Sequence, residues 1–349
     1  MATIQPQEDV FRRYFEALSP LFDPTHRQTV HSLFEYVCSL VRPTGIQAEG
    51  WDPLVESTEL VNDLLALSRM DLPPDRFADL DRTRARLALI SYCHLTEVDF
   101  FYELIFNLLR VWCGERFLMT PFRDLAKPMK QKSGLFQKYL PPSPGKKIGR
   151  IREWAQKAGL PDLNAVWDEI HYGDIRNSVF HADYTLTTTE FRMMKGRYSP
   201  SKGYLTPVVP LNDLQTIFTR TFAFYSALLA HHRRARMAFA DFKDKALPYD
   251  LHYKGLVEFL FDGDAVSGVR VYWPNGNISE LNRTEQGSTC LNFVPEDDDS
   301  INFMVGLYAS HPGSFSPLVE CGAEPVYTAA VGRVKAPYWP EPLGPISLV

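Results

Sequence analysis

The stretch Leu89-Ile90-Ser91-Tyr92-Cys93-His94-Leu95-Thr96-Glu97-Val98-Asp99-Phe100-Phe101 is apolar almost all round. It is the centre of a run from Phe77 to Trp112 that contains neither glycine nor proline and is closed by Gly114. Such a run reads as one long helix or two helices in line. A helix without a polar face belongs inside a core, so the chain is expected to be built mainly of helices. The acids embedded in that centre are informative, because a carboxylate taken out of water must be paired or protonated. Glu97 and Asp99 are therefore expected to meet a cation or to line a groove. His94, alone on a helix of this kind, reads as a structural histidine.

Working outward, apolar residues recur at helical spacing in Val10–Phe22, Val30–Val41 and Leu54–Leu67, with breaks at Ser19-Pro20, Arg42-Pro43 and Leu72-Pro73-Pro74. On the other side, short helices are expected at Ile148–Ala158 and Asp162–Ile170, and a last long one over Leu211–Phe242. Between them lies a segment rich in threonine and aromatics that favours a short hairpin near 184–195. Beyond Tyr253 the pattern becomes short β-prone runs with turn pairs: Leu256–Phe261 before Asp262-Gly263, Val269–Trp273 before Asn275-Gly276, and Asn302–Leu307 before His311-Pro312-Gly313. The expected fold class is α+β: a helical domain over 1–247, a small antiparallel β-rich module over 254–335, and an extended proline-rich tail over 336–349.

The chain has 349 residues, 45% of them hydrophobic and 23% charged, enough for two packed cores. Five dispersed cysteines without a CxxC pair indicate neither a disulfide framework nor a zinc site, which fits a reducing cytoplasm. The first residues lack the basic-then-apolar order of a secretion signal, and no apolar stretch reaches the length of a membrane span. A net charge of -5 argues against coating nucleic acid by bulk electrostatics, but the charge is uneven. From Arg123 to Lys157 ten basic residues face two acids, Asp124 and Glu153. That window is either a solvated surface or a site for a polyanion. The run His231-His232-Arg233-Arg234-Ala235-Arg236 reads as the basic, solvated end of a helix.

The segment that carries chemistry is Asp174-Ile175-Arg176-Asn177-Ser178-Val179-Phe180-His181-Ala182-Asp183-Tyr184. On a continuous helix, Ile175, Val179 and Ala182 fall on one side, Asp174, Asn177, His181 and Tyr184 fall on the other, and Arg176 sits at the edge of the polar sector. A guanidinium grips phosphate oxygens with paired donors, and imidazoles as a class exchange protons near neutrality. Together they suit strand cleavage by an RNA 2′-hydroxyl, a reaction that needs no metal. No metal-ligand spacing, P-loop, dinucleotide fingerprint or nucleophile elbow accompanies them, so no metal and no cofactor is expected. The alternative is a purely structural helix in which Asp174 pairs with Arg176, Asn177 caps or bridges, and His181 bonds a carbonyl.

Arg176-Asn177-x-x-x-His181, within Tyr172-Gly173-Asp174-Ile175-Arg176-Asn177-Ser178-Val179-Phe180-His181-Ala182-Asp183-Tyr184, resembles the Arg-polar-x-x-x-His signature of the HEPN superfamily of helical nucleotide-binding and RNA-cleaving domains. The resemblance covers the helical two-thirds of the chain in general shape and only 172–184 in residues. It implies a metal-independent endoribonuclease, active as a homodimer, in a toxin or defence context. Arg176 would stabilise the phosphate, His181 would transfer protons and Asn177 would position His181. Asp174, Tyr184 and the acid Glu97 would support them. Lys130, Lys132, Lys146, Lys147 and Arg150 of the basic window would guide RNA. A non-catalytic helical interaction or nucleotide-binding protein, with the β module available to a protein partner, is the other reading.

Overall fold

A computed structural model of the chain describes residues 7–23, 29–41, scattered positions of 56–70, 79–118, 121–128, 139–199, 205–249, 255–272, 278–284, 287–291, 293–295 and 301–303. The helix expected at Leu54–Leu67 and the tail over 336–349 lie largely or wholly outside them. In chain order the helices are α1 (Gln7–Phe22), α2 (Val30–Val41), α3 (Leu80–Leu95), α4 (Asp99–Trp112), α5 (Pro144–Lys157), α6 (Asp162–Ile170), α7 (Gly173–Phe180) and α8 (Leu211–Met237). The strands are β1 (Lys127–Pro128), β2 (Tyr139–Leu140), β3 (Tyr184–Leu186), β4 (Glu190–Met193), β5 (Val208–Pro210), β6 (Ala246–Tyr249), β7 (Gly255–Asp262), β8 (Ala265–Tyr272), β9 (Ile278–Thr284), β10 (Gly287–Leu291), β11 (Phe293–Pro295) and β12 (Ile301–Phe303). The fold is α+β. No helix among the described residues is long and apolar enough to cross a membrane.

The chain divides into two compact units that alternate along the sequence: one holds Met1–Pro20, Pro53–Tyr102 and Leu125–Ala230, the other Leu21–Asp52, Glu103–Asp124 and His231–Val349. From Leu80 to Trp112 the expected run is two helices, interrupted at Thr96-Glu97-Val98. Asp79 caps α3 by accepting from the Arg82 amide at 3.0 Å. At its far end the Thr96 hydroxyl donates back to the Cys93 carbonyl at 3.0 Å, and the Tyr102 hydroxyl donates to the Thr96 carbonyl at 2.8 Å. A hydroxyl that competes for the backbone ends the helix here without glycine or proline. Around it the core is aromatic: Tyr102 stacks on Trp167 at 5.8 Å, Phe101 lies 4.5 Å from Tyr225, and Tyr14 meets Phe224 edge-on at 5.8 Å.

That core sets the position of α7. Tyr92 of α3 is fully buried; its hydroxyl accepts from the Tyr172 amide at 2.8 Å and donates to the Ile170 carbonyl at 3.2 Å. The joint between α6 and α7 is thereby fixed to α3. Past α7, β3, β4 and β5 form a three-stranded antiparallel sheet, so the expected hairpin gains a third strand.

In the second unit a five-stranded antiparallel sheet has the order β10-β9-β8-β7-β6. It begins at Ala246, because an edge strand tolerates Pro248, which lacks an amide donor. The β7–β8 hairpin turns through Gly263, at φ 61, and Asp264. Val257 and Phe259 pair with Val271 and Val269, and all four are buried, while α2 packs along β8 with contacts to β6 and β9. Each such side chain, fully buried, contributes about 1.5–3 kcal/mol. On the other face Arg270 pairs with Glu280 at 2.7 Å, and the Tyr272 hydroxyl donates to Glu258 at 2.6 Å.

The run His231–Arg236 is not a solvated helix end. His231 is buried and stacked on Phe22 at 5.1 Å, and His232 donates from Nε2 to the Leu40 carbonyl at 2.7 Å. Arg236 donates to the Val266 carbonyl at 2.7 Å, which leaves Arg233 and Arg234 exposed. A string of basic residues on a helix still has an inward face, and here half the run occupies it.

Candidate active site

Helix α7 ends four residues earlier than the sequence pattern implies, at Phe180 instead of Tyr184. The Ala182 amide donates to the Val179 carbonyl at 3.1 Å, and the Asp183 amide donates to the Ser178 carbonyl at 2.9 Å, with Ala182 at φ 54. This is a Schellman closure with alanine where glycine is usual. His181 is thus the C-cap, one residue past the last helical residue Phe180. Tyr184, expected on the same polar face, instead enters β3 and lies against Phe191 at 5.1 Å, so it does not line the cleft described next.

Asp174, Asn177, Ser178 and His181 share one face of α7 and line a cleft of about 270 Å³, completed by Asp183, Lys195 and Gly196. The connection after β4 forms its other wall. The Met194 amide donates to the Asp183 carbonyl at 2.9 Å, the Arg197 amide donates to Asp174 Oδ2 at 2.7 Å, and Lys195 pairs with Asp183 at 2.8 Å. A Cβ on Gly196 would lie 2.8 Å from Met193 Sδ, 3.0 Å from Asp174 Cβ and 3.2 Å from Ser178 Oγ. Only glycine lets this connection lie so close to the helix.

Arg176 points to a different side of α7. Its Nη2 pairs with Glu97 Oε1 at 2.6 Å, its Nη1 donates to Asn177 Oδ1 at 2.8 Å, and its guanidinium lies 4.7 Å from the Phe180 ring centroid. Glu97 sits in the α3–α4 interruption, so the break that ended α3 also presents the acid. Asn177 alone belongs to both groups: it bonds Arg176 and lines the cleft with His181. Beneath the pair, burial pushes the Cys93 thiol up to about 12; nearby Arg176 opposes this and Glu97 adds to it. His171, just before α7, is brought down to about 4, first by burial and then by the Arg152 and Arg176 charges. His94 is half-buried, its Nε2 lacks a hydrogen-bond partner, and burial lowers its pKa.

Both acids singled out in the sequence meet cations, Glu97 through Arg176 and Asp99 through Lys147. The second pairing corrects one assignment. Lys147 is 3% exposed, bonded to Asp99 and 5.7 Å from the Tyr102 ring, so it is not presented to a nucleic acid. Lys146 is exposed and Arg150 is half-buried, 3.3 Å from Glu153. Lys130 and Lys132 lie outside the described residues. Lys195 and Gly196 were not legible as site residues, because they join α7 only through the return of the small sheet, whereas Asp183 lies in the segment singled out but was given no role. Among the described residues no group of three or more His, Cys, Asp or Glu side chains is arranged to hold a metal ion. No family model, no curated protein and no solved structure matches this chain.

Proposed function

We propose that this protein is a metal-independent endoribonuclease of the HEPN type, acting on RNA as a homodimer, with Arg176, Asn177 and His181 as its working residues. The observation that carries the reading is the bond chain Glu97–Arg176–Asn177, which ends on the cleft that His181 lines. A charged donor fork is oriented by an acid, and the amide it bonds, Asn177, lines the same cleft as the imidazole. In the reaction His181 takes the proton of an RNA 2′-hydroxyl, O2′ forms a bond to phosphorus, and the bond from phosphorus to O5′ breaks. The departing O5′ takes up a proton, which leaves a 2′,3′-cyclic phosphate and a 5′-hydroxyl. In a homodimer the second copy of His181 is the group placed to give that proton. Of the basic residues expected to guide RNA, Lys146 is exposed and Arg150 is half-buried beside Glu153. The cytoplasm and a toxin or defence role belong to the same proposal.

One observation favours a second reading, a non-catalytic interaction or nucleotide-binding protein: Arg176 is already engaged by Glu97 and Asn177 and stands apart from the cleft. The two are separated by incubating wild type and His181→Ala with total and structured RNA in EDTA and identifying the new 3′ ends. The nuclease reading expects cleavage by wild type alone, with cyclic phosphate ends and an unchanged melting temperature, since His181 is exposed. Absence of cleavage by both overturns it.

A further inference from the structure

Among the residues that line the His181 cleft, one side chain carries a permanent positive charge: Lys195, contributed by the connection after β4. Arg176, the cation that the motif itself offers for a phosphate, is committed to Glu97, Asn177 and the Phe180 ring on another side of α7. Arg197, next along the connection, turns its guanidinium back on that connection, donating to the Gly196 carbonyl at 2.8 Å and the Lys195 carbonyl at 3.3 Å. The backbone around Lys195 is held on both flanks, by Met194 to Asp183 and by Arg197 to Asp174, with Gly196 pressed against α7. Its tip is not: the side chain is 82% exposed, and its 2.8 Å pair with Asp183 is an open one of the kind that holds weakly. A fixed root with a compact, swinging ammonium is what a phosphate contact requires. Of the two carboxylates in the cleft, Asp174 accepts from the Arg197 amide, and Asp183 is the partner that Lys195 shares with the phosphate.

We infer that Lys195 is the phosphate-binding residue of this cleft, seating an RNA phosphodiester beside His181 from the connection that follows β4. The inference rests on the RNA reading above and adds to it a residue from outside the motif.

The test uses the full chain and a labelled 2′-O-methyl RNA oligonucleotide, which lacks the attacking hydroxyl and so reports binding without cleavage. Affinity is titrated against salt for wild type, Lys195→Met, Lys195→Arg and Arg192→Met. Arg192 is the control, an exposed cation paired to Glu190 on the same strand and absent from the cleft lining. Lys195→Met is expected to weaken binding about tenfold and to lower the salt slope by about 0.7, the loss of one single-strand phosphate contact. Lys195→Arg is expected to keep most of the affinity, and Arg192→Met to leave affinity and slope alone. Binding by Lys195→Met within twofold of wild type and with the same slope overturns the inference, as does the absence of any binding by wild type. Loss of binding in Lys195→Met alongside a wild type that never cleaves leaves Lys195 assigned and refutes the nuclease reading instead.

Discussion

Replacing Asp99 by asparagine removes the counter-charge of an ammonium that has nowhere else to go. Lys147 is 4% exposed in its side chain, with the Tyr102 ring 5.7 Å from Nζ, whereas the Asp99 side chain is 48% exposed. Breaking a fully buried pair from one side costs about 3–5 kcal/mol, because the surviving charge stays desolvated. Water reaches the Asp99 side of this pair, so the expected loss for Asp99→Asn is smaller, about 1–3 kcal/mol. The opposite substitution behaves differently. Lys147→Met replaces the buried charge with an apolar chain of similar length and is expected to change stability by less than ~1 kcal/mol in either direction. The double variant should then recover most of what Asp99→Asn lost, a coupling of roughly 1–2 kcal/mol. Urea denaturation followed by circular dichroism measures all four proteins. A loss below ~0.5 kcal/mol for Asp99→Asn, or a Lys147→Met variant less stable than Asp99→Asn, refutes the reasoning. The same variants check the reassignment of Lys147: RNA affinity should fall for Lys146→Met and stay constant for Lys147→Met.

Two further outcomes follow from named groups. Glu35 is 4% exposed and burial raises it to about 7, against the hydrogen bond from the Phe117 amide at 2.7 Å and the charges of Arg116 and Arg110. A carboxyl raised in the folded state contributes stability that is complete below its ordinary value near 4.5 and is lost as pH rises through 7. Glu35→Gln should therefore flatten the melting temperature between pH 4.5 and 8 and be relatively more stable at the upper end, by at most roughly 3 kcal/mol; a variant that keeps the wild-type pH profile counts against it. Ala182→Gly, which places glycine at the left-handed position closing α7, should raise stability by about 1 kcal/mol, read as a higher melting temperature with activity retained; a lower one would mean that the strain lies elsewhere.

Where side-chain chemistry alone decides an outcome, the sequence was legible. Asp162–Ile170 is a helix with the expected ends, and the demand that Glu97 and Asp99 find cations follows from desolvation without knowledge of the partners. The helix expected from Ile148 opens earlier, at Pro144, since a proline in the first helical turn gives up a donor that would be unpaired there. The interruption after α3 and the end of α7 are set by Thr96 and by a left-handed alanine, neither of which is a conventional stop signal. The cleft wall is a different kind of omission: Lys195 and Gly196 reach α7 through tertiary return of the chain, and no local periodicity encodes that. Lys147 and the run from His231 were misjudged for a related reason, because charge counts do not say which members face inward.

The alternation of the two units along the chain has a consequence for synthesis. Helix α2, with Leu33, Phe34, Tyr36 and Val37 buried in the finished protein, finds its cover on β8, which the ribosome makes more than two hundred residues later. At about 5–20 residues per second, its apolar face waits roughly 10–45 s before the strand that shields it exists. During that interval it is an unpaired sticky surface on a growing chain, of the kind that a holding chaperone covers.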